Sequence, residues 1–343
     1  MTSESSSSGP TVRQAIDAFI DSVSLARSAN TTRTYRNGLE VFQSVLINHK
    51  LDPDKTPVSS LKEDPVVWLA TALKGHAPST ERLYLTAATA FYEYLAAETL
   101  APINLPRIRL LIRQRARRPG QRLPQFPRDA IEKIVDYMVG MKNAVYENDA
   151  EHLRDLRDRA FLITLADTGL RVHEACGLHR GALDWNEGRA IIIGKGNKQA
   201  VVRFSQRSLQ ALRDYLSART RLDGASGRPL ASLPLFARHD KGAGKKIKPI
   251  TTATGRNIVS ERVEQILGLE AVGTITPHSF RHYFVTRVLQ ASGNLKLAQE
   301  LARHTNIAVT QRYAHLSDDE LDKGYYGAFE ERLDEPVSRD TGE

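Results

Sequence analysis

The sequence predicts a mainly α-helical protein with a small β-sheet, organised as two domains. Three observations predict it. Apolar side chains recur with 3.6-residue periodicity through the N-terminal third, two β-rich runs flank a glycine- and lysine-rich turn around Lys195, and a stretch rich in proline and arginine separates the two patterns. At 343 residues with 41% hydrophobic content, the chain is long enough to bury two cores.

Residues 1–10 are rich in serine and lack the basic-then-apolar order of a secretory signal, so they are expected to form a disordered tail. Residues 11–105 are expected to form a bundle of four or five helices. Val12, Ile16, Phe19, Ile20 and Val23 make one apolar stripe, and Tyr35, Leu39, Phe42 and Leu46 make a second. A third helix should start at Asp64-Pro65, with Asp64 as N-cap and proline at the first helical position. A fourth starts after Pro78-Ser79 and runs through Leu83, Ala87, Phe91 and Leu95. Residues 106–124 then read as an interdomain linker carrying seven arginines: Arg107, Arg109, Arg113, Arg115, Arg117, Arg118 and Arg122. Such a run is either a solvated connector or a segment lying against phosphates, where each neutralised phosphate adds salt-dependent affinity.

The second domain is expected over 125–317. Helices are expected around Ile131 to Met138 and Leu153 to Ala166, the latter closed by Gly169 in a left-handed cap. Ala190 to Ile193 and Ala200 to Phe204 should pair as a hairpin around Gly194-Lys195-Gly196-Asn197-Lys198. Residues 223–249 read as a long basic loop. Helices return around Ile258 to Ile266, from Pro277 to Leu289, from Leu295 to Leu301, and in the stretch around Tyr313. In the acidic end, 318–343, Leu321, Tyr325, Phe329 and Leu333 recur every four residues and form one apolar stripe if helical.

Charge and cysteine usage narrow the function. The net charge is +8, but residues 318–343 hold ten Asp/Glu against three Lys/Arg, so residues 1–317 carry +15. A body of that charge suits a polyanion. A single cysteine, Cys176, excludes an intrachain disulfide, and no Cys/His cluster has zinc-ligand spacing. Apolar runs such as Ala160 to Ala166 fall far short of the roughly 20 residues a membrane span needs. A cytoplasmic protein is expected.

Two segments carry chemistry. In Thr276-Pro277-His278-Ser279-Phe280-Arg281-His282, Thr276 suits an N-cap and Pro277 a first helical position, so His278 and Arg281 share one face of the first turn. Free amides, an arginine fork and an imidazole together make a phosphate site that can move protons. Taken alone, the pair reads as readily as surface side chains on an ordinary amphipathic helix. In Asp167-Thr168-Gly169-Leu170-Arg171-Val172-His173-Glu174, Arg171 projects from the bend after the glycine, and Glu174 is placed to orient either it or a neighbouring imidazole.

The order Arg171 in TGLRVHE, Lys195 in GKGNK, His278 and Arg281 in HSFRH, His304 in LARH, and Tyr313 in TQRYAH resembles the tyrosine recombinases, particularly the Xer and phage-integrase branch. The intervals fit as well: 24 residues from Arg171 to Lys195, 23 from Arg281 to His304, and nine from His304 to Tyr313. The resemblance covers about residues 11 to 330, by motif in the second half and only by pattern in the N-terminal helices. Family members usually carry glycine before the second histidine, where this chain has Arg303, which the resemblance makes an added phosphate contact. The 107 residues from Arg171 to His278 are also long for compact Xer proteins, and the 223–249 loop accounts for the excess.

The resemblance implies a helical core-binding (SAM-like) domain and an α+β catalytic domain closing as a C-shaped clamp on DNA. It implies that Tyr313 attacks the scissile phosphorus to give a 3′-phosphotyrosine, with Arg171 and Arg281 clamping the non-bridging oxygens and His304 adding a hydrogen bond. His278 would accept the tyrosine proton and Lys195 protonate the departing 5′ oxygen, with Glu174 supporting from behind. Lys198 is the alternative to Lys195, and Tyr325 and Tyr326 rival Tyr313 only by residue type. No metal, nucleotide or other cofactor is implied. The expected partner is double-stranded DNA with inverted-repeat sites, bound by a homo-tetramer or by a hetero-tetramer with a paralogous recombinase, with accessory proteins and location at the nucleoid. The acidic tail docks on a neighbouring protomer or folds back on its own domain. Two other classes stay open at this point, a type IB topoisomerase that nicks and reseals one duplex and a non-catalytic DNA-binding protein.

Overall fold

The computed structural model describes residues 9–117, 127–141, 148–193, 199–240 and 246–304. The chain divides into two compact units between Arg122 and Leu123. Among the described residues no helix is long and apolar enough to cross a membrane.

The first unit is built from α1 (Val12–Ala26), α2 (Ala29–Asn48), α3 (Pro65–Ala72), α4 (Pro78–Ala97) and α5 (Leu105–Arg115). Side chains set the helix starts. Thr11 accepts from the Gln14 amide at 3.3 Å while the Gln14 side chain accepts from the Thr11 amide at 3.0 Å, and Ser28 caps α2 through the Thr31 amide. The two expected stripes face one core: Ile16, Phe19, Ile20, Leu39, Phe42 and Leu46 are buried, with Phe91 of α4 set between Phe19 at 5.7 Å and Phe42 at 6.3 Å. Gly38 lets α2 and α4 close up, since a Cβ there would stand 3.1 Å from the Tyr84 ring.

Three local expectations differ from the structure. Leu83 is exposed and Leu85 buried, so the inward face of α4 runs through Leu85, Ala88, Phe91, Tyr92 and Leu95. Asp64 precedes α3 but caps no amide; its carboxylate accepts from Arg107 instead. The stretch 106–124 begins as a helix rather than a connector. Asn104 caps α5 through the Arg107 amide, Ile108 is fully buried against the bundle, and Ile112 packs beside it. Burying one such side chain is worth about 1.5–3 kcal/mol. Just beyond α5, the Arg117 amide and guanidinium meet Glu81, which is 1% exposed and also bound by Lys74 at 2.8 Å. Burial pushes the Glu81 carboxyl up, but Lys74 and the two Arg117 donors outweigh it and hold it at about 2.

The second unit has α6 (Arg128–Gly140), α7 (Asp149–Thr168), α8 (Val172–Cys176), α9 (Gln206–Gly224), α10 (Thr252–Leu267), α11 (Pro277–Ser292) and α12 (Leu295–Ala302). α7 is buried on every side from Ala160 to Ala166 and packs against α6, α9 and α11, which makes it the central post. A three-stranded antiparallel sheet of β1 (Leu183–Asp184), β2 (Arg189–Ile193) and β3 (Gln199–Arg203) follows α8 in the chain, in the order β1-β2-β3 with Ile191 opposite Val201. Ala190, Ile192 and Val202 face the core, and Ile191, Ile193 and Val201 are exposed. The turn residues 194–198, with Lys195 and Lys198, lie outside the described residues.

α9 is the element the sequence reading does not separate from its surroundings, although Ser205 caps it and Leu209, Leu212 and Leu216 give it a helical stripe. The following segment is not simply a basic loop either. Its apolar run buries Leu233, Leu235, Phe236 and Ala237, and Leu235 takes a backbone bond to Leu178 at 2.8 Å. The polar backbone of that run is satisfied from α9. Arg219, wholly buried, donates to the carbonyls of Pro234 at 2.7 Å and Leu235 at 3.2 Å, to Tyr215 Oη at 2.9 Å and to Asp223 at 2.9 Å. Tyr215 Oη also meets His239 Nε2 at 2.7 Å.

Arg219→Ala removes a donor from four acceptors, of which Tyr215 Oη keeps the Ala237 amide and buried Asp223 keeps Arg180 alone. A loss of about 3–5 kcal/mol is expected in urea denaturation of the full chain. A loss below about 1 kcal/mol would mean that water replaces the guanidinium and that Arg219 does not hold the 233–237 run.

Candidate active site

The site is assembled where α7, α11 and α12 end or begin. α7 stops at Gly169, whose backbone is left-handed at φ 60°, and a Cβ there would lie 2.4 Å from the Phe284 ring of α11. Glycine is therefore required twice, for its conformation and for close approach. The chain turns through Leu170, which is buried, and presents Arg171 immediately before α8. Glu174, one turn into α8, reaches back: one carboxylate oxygen accepts from the Arg171 amide at 2.8 Å and the other from its Nη1 at 2.9 Å. Arg171 keeps 41% of its side chain exposed while Glu174 is buried at 2%, so the carboxylate anchors and the guanidinium is presented. Of the two partners expected for Glu174, its carboxylate hydrogen-bonds Arg171.

α11 brings His278 and Arg281. Its start is capped in reverse of the usual sense, with Ser279 Oγ accepting from the Thr276 amide at 3.1 Å. Arg281 is buried, and its two terminal nitrogens donate to the Gly169 and Ala302 carbonyls. One guanidinium thereby fastens the end of α7 to the end of α12. The two arginines read from the sequence as an equal clamp are thus unequal: Arg281 is built into the frame and Arg171 stands at its edge. His282 sets its ring 4.3 Å from that of His278, at 88°.

α12 delivers His304. Arg303 closes the helix in the left-handed region, at φ 58° and ψ 43°, the conformation that glycine would adopt at that position. Gln299 then holds His304 from both sides, accepting its amide on the backbone carbonyl at 3.1 Å and donating from Nε2 to its carbonyl at 3.0 Å. Nothing in the sequence marks Gln299, and His282, although it ends the HSFRH motif, is not singled out there; their partners are set by helix geometry. Tyr313 lies outside the described residues, as does the acidic end of 318–343.

Electrostatics follow from this crowding of cations. Burial and then the Arg281 and Arg171 charges pull His304 down to about 4, with His278 and His282 adding to the effect. Burial, His278 and Arg281 bring His282 to about 4, and burial with Arg281 and Arg171 lowers His278. The imidazoles are therefore neutral near pH 7. Among the described residues no group of three or more His, Cys, Asp or Glu is placed to hold a metal ion.

The basic residues expected to meet DNA divide sharply. Arg107 pairs with Glu63 and Asp64, Arg109 with Glu93, and Arg117 with Glu81. Arg113 and Arg115 are exposed and pair with no carboxylate among the described residues, while Arg118 and Arg122 lie outside them. The side chain of Arg303 is only 12% exposed and engages Glu174 at 3.2 Å and the Gly169 carbonyl at 3.3 Å, which sets it behind Arg171 rather than out on the surface.

Comparison with known proteins adds sequence and fold similarity. Residues 141–320 match the model of the phage integrase family. The chain is 30% identical over 308 residues to the tyrosine recombinase XerC of Thermodesulfovibrio yellowstonii, covering 88% of this chain and 91% of that one. It is likewise 30% identical over 307 residues to the XerC of Alcanivorax borkumensis, covering 89% and 91%. In structure it is similar to the Tn1549 transposon integrase in complex with transposon right end DNA, at TM-score 0.64 and 21% identity over 94% of this chain and all of that one. The XerH recombinase bound to difH matches at TM-score 0.63 and 17% identity over 92% and 84% of the two chains.

Histidines lowered on folding tie stability to pH. The unfolded chain takes up protons near pH ~6.5 that folded His282 and His304, at about 4, refuse, so their contribution to stability is complete above about 6.5 and lost as pH falls toward 4. The urea midpoint is expected to drop between about pH 7 and pH 5, and the double variant His282→Gln/His304→Gln to flatten that slope. An unchanged slope would show that the two rings titrate normally.

Proposed function

We propose a function that proceeds from one premise: the chain belongs to the phage integrase family, the tyrosine recombinases. It is a site-specific DNA recombinase, an enzyme that cuts DNA and rejoins it. The observation that supports the assignment of roles is the meeting of Arg171, His278, Arg281 and His304, drawn from separate stretches of sequence, around the Gly169 turn.

The roles follow from what phosphodiester transfer needs. A phenol with pKa ~10 is a weak nucleophile until its proton is taken. Tyr313 attacks the scissile phosphorus through its oxygen and passes its proton to His278, which is neutral and sits beside the two arginines. The bond to the 5′ oxygen breaks, Lys195 protonates that oxygen, and a 3′-phosphotyrosine and a 5′-hydroxyl remain; Lys198 is the other lysine of the same turn. Arg171 faces the non-bridging oxygens from the exposed edge, Arg281 adds its charge from behind, and His304 donates a hydrogen bond as negative charge builds on phosphorus. A 5′-hydroxyl of a second duplex then attacks the phosphotyrosine, which restores the phosphodiester and frees Tyr313. The energy of the broken bond is kept in the intermediate throughout.

Recognition is assigned to both units. Both units meet the duplex, and Arg113 and Arg115, exposed and without carboxylate partners among the described residues, are the linker arginines best suited to phosphates. Four protomers on two inverted-repeat sites form the working assembly, as copies of this chain or with a paralogue, and accessory proteins bias its outcome. The acidic segment 318–343 docks on a neighbouring protomer. The protein works in the cytoplasm, at the nucleoid.

Two experiments test this reading. The first uses Tyr313→Phe to select its own inverted-repeat site from randomised duplexes; the variant is expected to bind as tightly as the parent and to form no denaturant-stable adduct, whereas an adduct with phenylalanine in place would move the nucleophile to another residue. Mixing two labelled duplexes that carry the site should then yield exchanged products, and resealing without exchange would favour a topoisomerase. The second uses Lys195→Ala on a site whose bridging 5′ oxygen is sulfur. A thiolate leaves without a proton, so cleavage lost on ordinary DNA, by about 10²-fold or more, should return. No recovery would remove Lys195 as the acid.

A further inference from the structure

Arg303 does two things that its position alone does not call for. It holds a left-handed backbone at φ 58° despite carrying a β-carbon, and it turns its guanidinium inward. The other described non-glycine residues with positive φ, Lys50 and Thr99, are both exposed. The side chain of Arg303, by contrast, is 12% exposed, and one nitrogen, Nη2, serves two acceptors from different elements: Glu174 Oε2 at 3.2 Å and the Gly169 carbonyl at 3.3 Å.

Those acceptors are the two groups that position Arg171. Glu174 Oε2 already takes the Arg171 amide and Oε1 takes its Nη1, while the Gly169 carbonyl, two residues upstream, takes Arg281. Arg303 closes the ring between them. We infer that Arg303 is a positioning residue for Arg171, locking Glu174 in place and supplying the positive charge that gives the Arg171–Glu174–Arg303 group a net charge of +1.

The charge count carries the argument. Arg171 and Glu174 alone sum to zero, so a buried carboxylate 2.9 Å from the guanidinium would spend much of its attraction for phosphate. With Arg303 on the same carboxylate the group sums to +1, and the half-exposed Arg171 faces DNA undiminished. Glu174 responds as this requires: burial pushes its carboxyl up, but the Arg171 amide, the Arg303 charge and the Arg171 side chain outweigh burial and keep it ionised. A glycine at 303 would satisfy the backbone and supply none of this.

The inference rests on the reading that Arg171 meets the scissile phosphate, and the test separates the two. Full-length Arg303→Gly, Arg303→Lys and Arg171→Ala are compared on the selected duplex, nicked beside the cleavage position so that the covalent adduct accumulates. Three quantities are read: single-turnover adduct rate at saturating protein, Kd, and thermal midpoint. Arg303→Gly is expected to keep or raise the thermal midpoint and to change Kd by less than about 3-fold, yet to slow adduct formation by about 10-fold or more. Arg303→Lys, which keeps the charge without the fork, should recover part of the rate. On a duplex whose scissile phosphate carries a methyl in place of one non-bridging oxygen, and so no charge, the deficit of Arg303→Gly should shrink. A wild-type rate for Arg303→Gly alongside a dead Arg171→Ala would overturn the inference. So would a Kd loss with a smaller salt slope, which would make Arg303 a direct phosphate contact, or a rate loss that merely follows a fallen thermal midpoint. Lack of any rescue by lysine would remove the charge argument. If Arg171→Ala itself cleaved normally, the role given to Arg171 would fail instead.

Discussion

The carbonyl oxygen of Gly169 is the point to which the catalytic unit is tied. It exists as an acceptor because α7 ends there, and a helix end leaves its last carbonyls without intrahelical partners. Arg281 of α11 and Arg303 after α12 both donate to it, and Arg281 spans on to Ala302. Helices α11 and α12, more than a hundred residues on in the chain, are thereby registered against the end of α7, and Arg171 is displayed two residues beyond it. A left-handed glycine packed against Phe284 is the condition for all of this, since any side chain would drive α11 away.

Arginine serves two distinct ends in this protein. Arg219 and Arg281 are buried and donate to backbone carbonyls, and Arg157 and Arg262 share the carboxylate of Asp158. Burying a guanidinium is tolerable only with such complete hydrogen bonding. Others are exposed or half-buried, and there the deciding feature is the partner: Arg107, Arg109 and Arg117 are matched by carboxylates, whereas Arg113 and Arg115 pair with none among the described residues. A net charge of +8 therefore says little about which residues face a polyanion, and the distribution of the 40 acidic residues decides it.

Much of the fold is visible in the sequence where one local rule acts alone. The stripes of α1 and α2 face the core as their period requires, Gly169 ends α7 left-handed, and the two β-rich runs pair as Arg189–Ile193 with Gln199–Arg203. The reading falters where two signals compete. In α5, prolines and arginines suggest a linker, but Asn104 caps a helix and Ile108 anchors it. In 223–249, glycine and lysine outweigh by count an apolar run that turns out to be core. Leu83 and Leu85 are two apart on one helix, and only the position of α2 settles which is buried.

The sequence by itself determined the family, the order of Arg171, Lys195, His278, Arg281, His304 and Tyr313, and the helical character of both units, because these follow from residue identity, spacing and local periodicity. It left Arg171 and Arg281 looking alike, and it left Arg303 looking like a surface cation in the place of a glycine. Only the tertiary structure made one arginine a frame member and the other an exposed edge, and turned Arg303 inward onto Glu174. The physical reason is that burial and pairing belong to neighbours brought together by helix packing across more than a hundred residues, which no local pattern encodes.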